Sequence, residues 1–186
     1  MGYHTFEVEQ AEKLEDAASR YRYLSAEELL WYVSPSDDDV IADLGSGTGF
    51  YTDDLAPHVG QVHAVDVQEA MHDYYREKGV PENVELITAE ISDLPFDTDF
   101  LDTAVSMMTY HEFASSNALH ELSRVVSSGG RLAIADWTAD GHGEAGPPLD
   151  ERFTVEEAVS SLRNHGFKIH QEVTRPETFV LVGTRE

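Results

Sequence analysis

Residues 40–56 read Val-Ile-Ala-Asp-Leu-Gly-Ser-Gly-Thr-Gly-Phe-Tyr-Thr-Asp-Asp-Leu-Ala. A short apolar run ends at an acid, Asp43, and glycines then occupy the alternate positions 45, 47 and 49. A segment of helical character begins near Phe50. This order predicts a strand, a turn whose backbone lies open to a ligand, and a helix whose free amides face that ligand.

The spacing of the glycines argues against a dinucleotide as that ligand. A pyrophosphate-binding turn follows the pattern Gly-x-Gly-x-x-Gly, and Phe50 stands here at the sixth position. The acid that precedes the glycines, Asp43, would repel a phosphate. It would instead attract a ligand that carries an amino group and a positively charged sulfur, as S-adenosylmethionine does.

Five segments, in the same order, resemble motifs of the class I S-adenosylmethionine-dependent methyltransferases. They are Asp-Leu-Gly-Ser-Gly-Thr-Gly (43–49), His-Ala-Val-Asp (63–66), Ala-Glu-Ile-Ser-Asp-Leu-Pro-Phe (89–96), Phe-Leu-Asp-Thr-Ala-Val-Ser (100–106) and Arg-Val-Val-Ser-Ser-Gly-Gly-Arg-Leu (124–132). The resemblance runs from about Arg20 to Thr184 and is greatest to the menaquinone- and ubiquinone-biosynthesis type and the small stand-alone enzymes near it.

The resemblance implies an α/β fold, with a doubly wound, Rossmann-like sheet of seven strands that is parallel except for its last strand. An independent observation supports the antiparallel strand. The strands predicted at 167–173 and 178–183 are only a few residues apart, whereas a parallel crossover needs a dozen or more. We predict one methyltransferase domain over residues 1–186, with N-terminal helices at about 8–33 as a cap.

The remaining elements follow from hydrophobic periodicity and from capping residues. Ser25 with Glu28, and Thr154 with Glu157, have the spacing of capping boxes that begin helices. Five further strands are predicted at 40–44, 62–66, 84–88, 103–107 and 132–136. Helices are predicted at 8–22, from Ser25 to before Pro35, after Gly49, at 68–78, at 115–125, and from Thr154 to Gly166.

The resemblance also assigns a cofactor-binding role to twelve residues: Asp43, Gly45, Ser46, Gly47, Thr48, Gly49, Asp66, Val67, Met71, Glu90, Ile91 and Met107. Asp43 would face the ammonium group of S-adenosylmethionine, although an acid there could instead cap the following turn. Asp66 would accept hydrogen bonds from both ribose hydroxyls, unless it is a solvated loop acid. Glu90 would bind the adenine amino group. Met71 could cover the base or ribose, or lie in the core.

Candidate substrate residues follow the fourth and fifth predicted strands. His111 could accept a proton from an oxygen or nitrogen nucleophile, or could only shape the pocket or cap the next helix. Tyr110 and Trp137 are candidate pocket walls. The loop at 138–151 is long enough to be a lid but could be a rigid connection. His111-Glu112 lacks the second histidine of a zinc-binding helix, so no metal is predicted.

Acids outnumber bases by 36 to 12, for a formal net charge of −24. Repulsion among dispersed acids destabilises a compact fold, except where the screening length falls to about 3 Å, as at molar salt. The composition therefore predicts a protein of a salt-accumulating halophile. It also argues against double-stranded DNA as a partner, because the sequence has no basic stripe to displace counterions.

Several absences from the sequence define its class. There is no cysteine, which excludes disulfides and thiolate metal sites. No apolar run has the length of a membrane span, and the N-terminus lacks the basic and apolar blocks of a signal peptide. We therefore predict a cytoplasmic protein with no membrane partner.

The predicted reaction is methyl transfer from S-adenosylmethionine to a nucleophile, which leaves S-adenosylhomocysteine. The acceptor atom and the oligomeric state stay open. A small-molecule acceptor is favoured because the chain has few insertions beyond the fold. Two alternatives remain. The chain could be a module that binds S-adenosylmethionine without catalysis, as a sensor or partner subunit. It could also be a nicotinamide oxidoreductase, which Asp43 and Phe50 disfavour.

Overall fold

The computed structural model describes residues 8–186, so residues 1–7 of the predicted domain lie outside the described residues. Seven strands form one sheet: β1 (Val40–Leu44), β2 (Gln61–Asp66), β3 (Val84–Thr88), β4 (Leu101–Met107), β5 (Val126–Trp137), β6 (Phe167–Thr174) and β7 (Thr178–Arg185). Their spatial order is β3-β2-β1-β4-β5-β7-β6.

The directions of the strands confirm the predicted fold class. Strands β1 to β5 pair in parallel. Strand β7 lies between β5 and β6 and is antiparallel to both. The order reverses between β1 and β4, which lie side by side although β2 and β3 intervene in the chain. Open α/β sheets bind ligands at such a reversal, beyond the carboxyl ends of the strands.

Helices cover both faces of the sheet: α1 (Ala17–Tyr23), α2 (Ala26–Val33), α3 (Phe50–Leu55), α4 (Glu69–Lys78), α5 (Tyr110–Phe113), α6 (Ser116–Val125) and α7 (Val155–Asn164). Both predicted capping boxes are present, at Ser25 and Thr154. Two clusters of buried apolar side chains pack the helices against the sheet. Among residues 8–186, no helix combines the length and apolar character needed to cross a bilayer.

The N-terminal segment differs from the single helix predicted at 8–22. It forms a 3₁₀ helix over Val8–Glu15, and α1 then starts anew after Asp16. The Asp16 carboxylate accepts hydrogen bonds from the backbone N–H groups of Ala18 and Ser19, at 3.2 and 3.4 Å. An N-cap of this kind satisfies amides that have no partner within the helix, so it starts a new helix here.

Strand β5 is longer than predicted. It begins at Val126, which pairs with Leu101 of β4, although we expected it to begin at Leu132. The prediction was wrong here: residues 126–131 belong to the strand although they include Gly129 and Gly130, a residue type that is depleted in strands. The pairing shifts register between Leu101 and Thr103, so the extra residues are accommodated as an irregularity in the ladder.

We expect thermal stability to rise steeply between low and molar potassium chloride. The reason is the net charge of −24, because salt screens repulsion among acids over about 3 Å at 1 M and about 10 Å at 0.1 M. A gain of about 3 kcal/mol in the free energy of unfolding corresponds to a rise of roughly 6–12 °C in the melting temperature for a chain of this size. Calorimetric scans along a salt series would measure it, with sucrose at matched osmolarity as the control. A flat melting temperature would contradict the halophile hypothesis.

Candidate functional site

The glycine turn joins β1 to α3, and its three glycines have positive φ angles of 75°, 54° and 81°. A Cβ at Gly45 would come within 2.2 Å of Thr109, and one at Gly49 within 2.2 Å of Tyr75. At Gly47 the nearest atom would be Leu14 Cδ1, at 3.4 Å. The outer glycines therefore allow close packing within the chain, while the middle one leaves room on the cleft side.

Asp66, the last residue of β2, is bound to the glycine turn. Its Oδ2 accepts a hydrogen bond from the N–H of Gly47 at 2.8 Å, and its Oδ1 accepts one from the N–H of Gln68 at 2.9 Å. A carboxylate offers about four acceptor positions, so two remain for a ligand's hydroxyl groups. The carboxylate thus holds the turn in place and faces the cleft beside it.

Asp43 is buried beneath the same turn, with 2% of its surface exposed. Its Oδ2 accepts a hydrogen bond from the Thr52 hydroxyl at 2.6 Å. Burial raises the pKa of Asp43 to about 6, against the opposing effects of this hydrogen bond and of the Arg20 charge. Asp43 does not line the cleft, so its predicted contact with an ammonium group stays a prediction.

A cleft of about 1060 Å³ opens at the carboxyl edge of the sheet, where the strand order reverses. Most residues predicted for the site line it: Gly45, Ser46, Gly47, Thr48, Asp66, Val67, Met71, Glu90, Ile91, Met107, His111 and Trp137. Three predicted residues lie outside its lining: Asp43, Gly49 and Tyr110. The sequence motifs therefore converge on one cavity, although they are dispersed along the chain.

Tyr110 was predicted to be a pocket wall, but the structure places its ring in the core. The residue is fully buried, and its ring lies 5.6 Å from those of Phe113 and Phe153. Its hydroxyl is buried without a hydrogen-bond partner among residues 8–186. Burial, followed by the charge of Asp136, raises the pKa of this hydroxyl. Tyr110 therefore supports the wall from behind.

His111, in the first turn of α5, lines the cleft and is held by a buried carboxylate. Asp136 Oδ1 lies 2.9 Å from His111 Nδ1, and Oδ2 accepts the His111 backbone N–H at 2.6 Å. Because the carboxylate can only accept, this pairing assigns the proton to Nδ1 and leaves Nε2 as an acceptor. Burial lowers the pKa of His111, but the hydrogen bond and charge of Asp136, with the charges of Glu112 and Glu151, give a net rise.

Glu112 lies next to the His111–Asp136 pair and also lines the cleft. Its Oε1 lies 3.8 Å from His111 Nε2. Burial raises the pKa of Glu112 to about 7, partly opposed by the charge of His111 and supported by those of Asp66 and Asp136. Two groups whose pKa values are raised therefore share one wall, and perturbed titratable groups in a cleft are typical of functional sites.

The loop at 138–151, predicted to be either a lid or a rigid connection, is bound to the rest of the chain by the buried Arg152 and Glu177. Arg152 donates hydrogen bonds to the carbonyl oxygens of Pro147 at 2.9 Å and Thr138 at 3.3 Å. The guanidinium also pairs with Glu177, and both side chains are buried. Glu177 in turn accepts the N–H of His142 at 2.8 Å. The Arg152 guanidinium carbon also lies 5.5 Å from the Trp137 ring centroid, so these contacts place the loop along one wall of the cleft.

Comparison with known proteins identifies the family. Residues 42–134, half of the chain, match the model of the methyltransferase domain family. The chain belongs to the class I S-adenosylmethionine-dependent methyltransferases. The predicted enzyme class and cofactor are thereby confirmed.

Individual relatives agree with this assignment. An S-adenosylmethionine-dependent methyltransferase from Aquifex aeolicus superposes with a TM-score of 0.88 at 29% identity, covering 98% of this chain and 100% of that one. An uncharacterized methyltransferase of Mycobacterium tuberculosis is 28% identical over 85% of this chain and 69% of its own length. A demethylmenaquinone methyltransferase of Clavibacter sepedonicus is 33% identical over 82% of this chain, which spans 56% of that enzyme.

The cleft of this methyltransferase has features that fit S-adenosylmethionine. The absence of a Cβ at Gly47 leaves room beside the turn, and the buried Ser46 hydroxyl has no hydrogen-bond partner among the described residues. Asp66 and Glu90 line the same cavity as acceptors for hydroxyl and amino groups. The donors and acceptors present therefore match a nucleoside that carries an amino acid.

Sequence reasoning missed several residues of the methyltransferase cleft. Asp136, which contacts His111 from behind the cleft wall, ends the strand predicted at 132–136, so the pattern of an acid at the end of an apolar run that singled out Asp43 and Asp66 was available for it. Met108 has a φ angle of +65°, unusual for a residue with a side chain, and no sequence pattern predicted it. The N-terminal segment contributes six further lining residues, which were predicted only as a cap: Gln10, Lys13, Leu14, Ser19, Arg20 and Tyr23.

Proposed function

We propose that this methyltransferase methylates a small molecule, with His111 accepting a proton from a hydroxyl or amino group of that acceptor. The observation that carries the proposal is the pairing of His111 with the buried Asp136 on the cleft wall. Asp136 fixes the ring and its tautomer, so Nε2 has a free lone pair. The hydrogen bond and charge of Asp136 raise the pKa of His111 against the effect of burial, which makes the imidazole a stronger proton acceptor and suits it to general base catalysis.

S-adenosylmethionine supplies an electrophilic methyl group on a positively charged sulfur, and S-adenosylhomocysteine remains after the transfer. We propose that Asp66 accepts the ribose hydroxyls, that Glu90 and the Ile91 amide hold the adenine, and that Val67, Met71 and Met107 pack against the ligand. The Gly45–Gly49 turn would lie along the methionine part. Proximity and exclusion of water then contribute much of the catalysis.

A small-molecule acceptor is supported by the enclosure of the cleft. Its volume of about 1060 Å³ lies just above the usual range for ligand pockets, about 300–1,000 Å³, which leaves room for an acceptor beside the cofactor. The N-terminal segment forms one wall, and the loop held by Arg152 forms another. We propose that residues 8–33 act as the cap of a single domain.

The relatives suggest a first acceptor to try. The Clavibacter sepedonicus relative is named for demethylmenaquinone, whose reduced ring carries hydroxyl groups that His111 could deprotonate. We further propose that the enzyme works in the cytoplasm of a salt-accumulating cell, which the net charge of −24 supports.

Turnover can be measured by chromatography of S-adenosylhomocysteine after incubation of the enzyme with S-adenosylmethionine in molar potassium chloride. Reduced demethylmenaquinone and a fractionated metabolite extract would be the acceptors, and heat-inactivated enzyme the control. We expect S-adenosylhomocysteine to form only when an acceptor is present. We also expect the methylated acceptor to be found in the same reaction. Tight calorimetric binding of S-adenosylmethionine without turnover in any fraction would favour the binding-module alternative.

A further inference from the structure

Arg20 reaches from α1 to the glycine turn. Its guanidinium carbon lies 4.7 Å from the ring centroid of Tyr51 and 5.5 Å from that of Phe50. These two residues begin α3, directly after Gly49. The Tyr51 hydroxyl also donates to the backbone carbonyl oxygens of Arg20 and Leu24, each at 3.2 Å. Both contacts hold Arg20 beside the turn, where its side chain lines the cleft.

The guanidinium of Arg20 has donor capacity that the described chain leaves unused. Its Nε is buried and has no hydrogen-bond partner among residues 8–186. Burial lowers the pKa of Arg20, and the charges of Tyr51, Asp43 and Glu15, with a side-chain hydrogen bond to Tyr51, oppose this only in part. Asp43 lies close enough for its charge to act on Arg20, but its Oδ2 already accepts from Thr52. A partly buried cation whose Nε donor is buried and unused favours an anionic ligand.

The distribution of charge around the cleft indicates where that anion would lie. The acids Asp66 and Glu90 lie where hydroxyl and amino groups are expected. The lysine and arginine side chains on the wall, within the described residues, are Lys13 and Arg20, both from the N-terminal segment. Lys13 already donates to Gln10 at 2.7 Å. In a chain with 12 bases against 36 acids, Arg20 thus forms a cationic end of an otherwise acidic cleft.

We propose that Arg20 binds the carboxylate of the methionine part of S-adenosylmethionine, so that α1 completes the cofactor site. The inference rests on the cofactor placement in the proposed function, with the methionine part along the glycine turn. A guanidinium presents donors in a fork that matches a carboxylate, and such charge-assisted hydrogen bonds are among the stronger ones in proteins. The bound carboxylate would also hold α1 closed over the cleft.

The test is a comparison of two ligands that differ only in the carboxylate. S-adenosylhomocysteine and its decarboxylated analogue, which keeps the amino group, would be titrated calorimetrically in molar potassium chloride. The variant is Arg20→Met, which keeps an apolar stem for packing against Phe50 and Tyr51 and removes the cation. We expect it to weaken binding of S-adenosylhomocysteine by about 10- to 100-fold and to leave the analogue within about threefold of the wild type.

Arg22→Met is the matched control, because Arg22 lies on the same helix with 67% of its side chain exposed, and methionine keeps an apolar stem beside the Tyr23 ring while removing the ion pair with Glu144 at 3.5 Å. It should leave both affinities unchanged. The proposal would be overturned if Arg20→Met weakened the binding of both ligands equally, or weakened the binding of neither. Arg20→Gln is the second variant, with the same expectations, in case Arg20→Met does not fold. Failure of the wild type to bind either ligand would overturn the cofactor placement together with this inference.

Discussion

Replacement of Asp66 by alanine is expected to weaken S-adenosylmethionine binding by about 30- to 1000-fold. The loss of two hydrogen bonds to a charged group corresponds to roughly 2–4 kcal/mol. The structure adds a second cause, because Asp66 also accepts the N–H of Gly47 at 2.8 Å and so holds the glycine turn. Calorimetric titration at molar salt would measure the change in the dissociation constant.

Two further variants separate these causes and control for charge. Asp66→Asn keeps an oxygen that can accept the Gly47 N–H but has fewer acceptor positions for ribose hydroxyls, so we expect an intermediate loss. Asp73→Ala removes one acid from the exposed face of α4, away from the cleft, and should leave the affinity unchanged. A dissociation constant for Asp66→Ala equal to that of the wild type would remove Asp66 from the site.

The fold and the glycine-turn end of the cleft were predictable because local sequence determines their elements. Strand, glycine turn and helix follow one another within Val40–Leu55, and the acid that ends β2 lies at the same edge because parallel strands end together. The hairpin of β6 and β7 followed from loop length alone. In each case, a short stretch of chain contains all the information that the inference needs.

The other end of the cleft depends on tertiary packing, and there the predictions were less complete. Tyr110 and His111 are neighbours in a short helix, yet one lies in the core and the other on the wall. Successive helical residues point about 100° apart, and only the docking of α5 decides which side chain faces the cavity. Arg20 was missed for the same reason, because its position depends on how α1 packs against α3.

Replacement of His111 by glutamine is expected to lower turnover by about 100-fold or more, while the affinity for S-adenosylmethionine stays nearly unchanged. Glutamine keeps much of the volume and hydrogen bonding of histidine but cannot take up a proton. His111→Ala should be at least as impaired. Single-turnover kinetics with a saturating acceptor would separate the chemical step from binding. Full activity of His111→Gln would reduce the residue to a pocket wall and leave positioning as the whole mechanism.

The pH dependence of turnover tests the same proposal by a different route. The base is active when neutral, and the net effect of its surroundings raises the pKa of His111 above 6.5, so turnover should fall as the pH drops through a midpoint above 6.5. Asp136→Asn removes the charge that raises this pKa. In this variant, turnover should be lower, and the pH at which turnover falls on acidification (the acid limb of the pH profile) should be lower as well.

Because burial raises the pKa of Glu112 to about 7, the variant Glu112→Gln is needed to exclude it as the titrating group. In that variant the acid limb should persist and move slightly to lower pH, since one negative charge near His111 is gone; its disappearance would assign the proton to Glu112 instead.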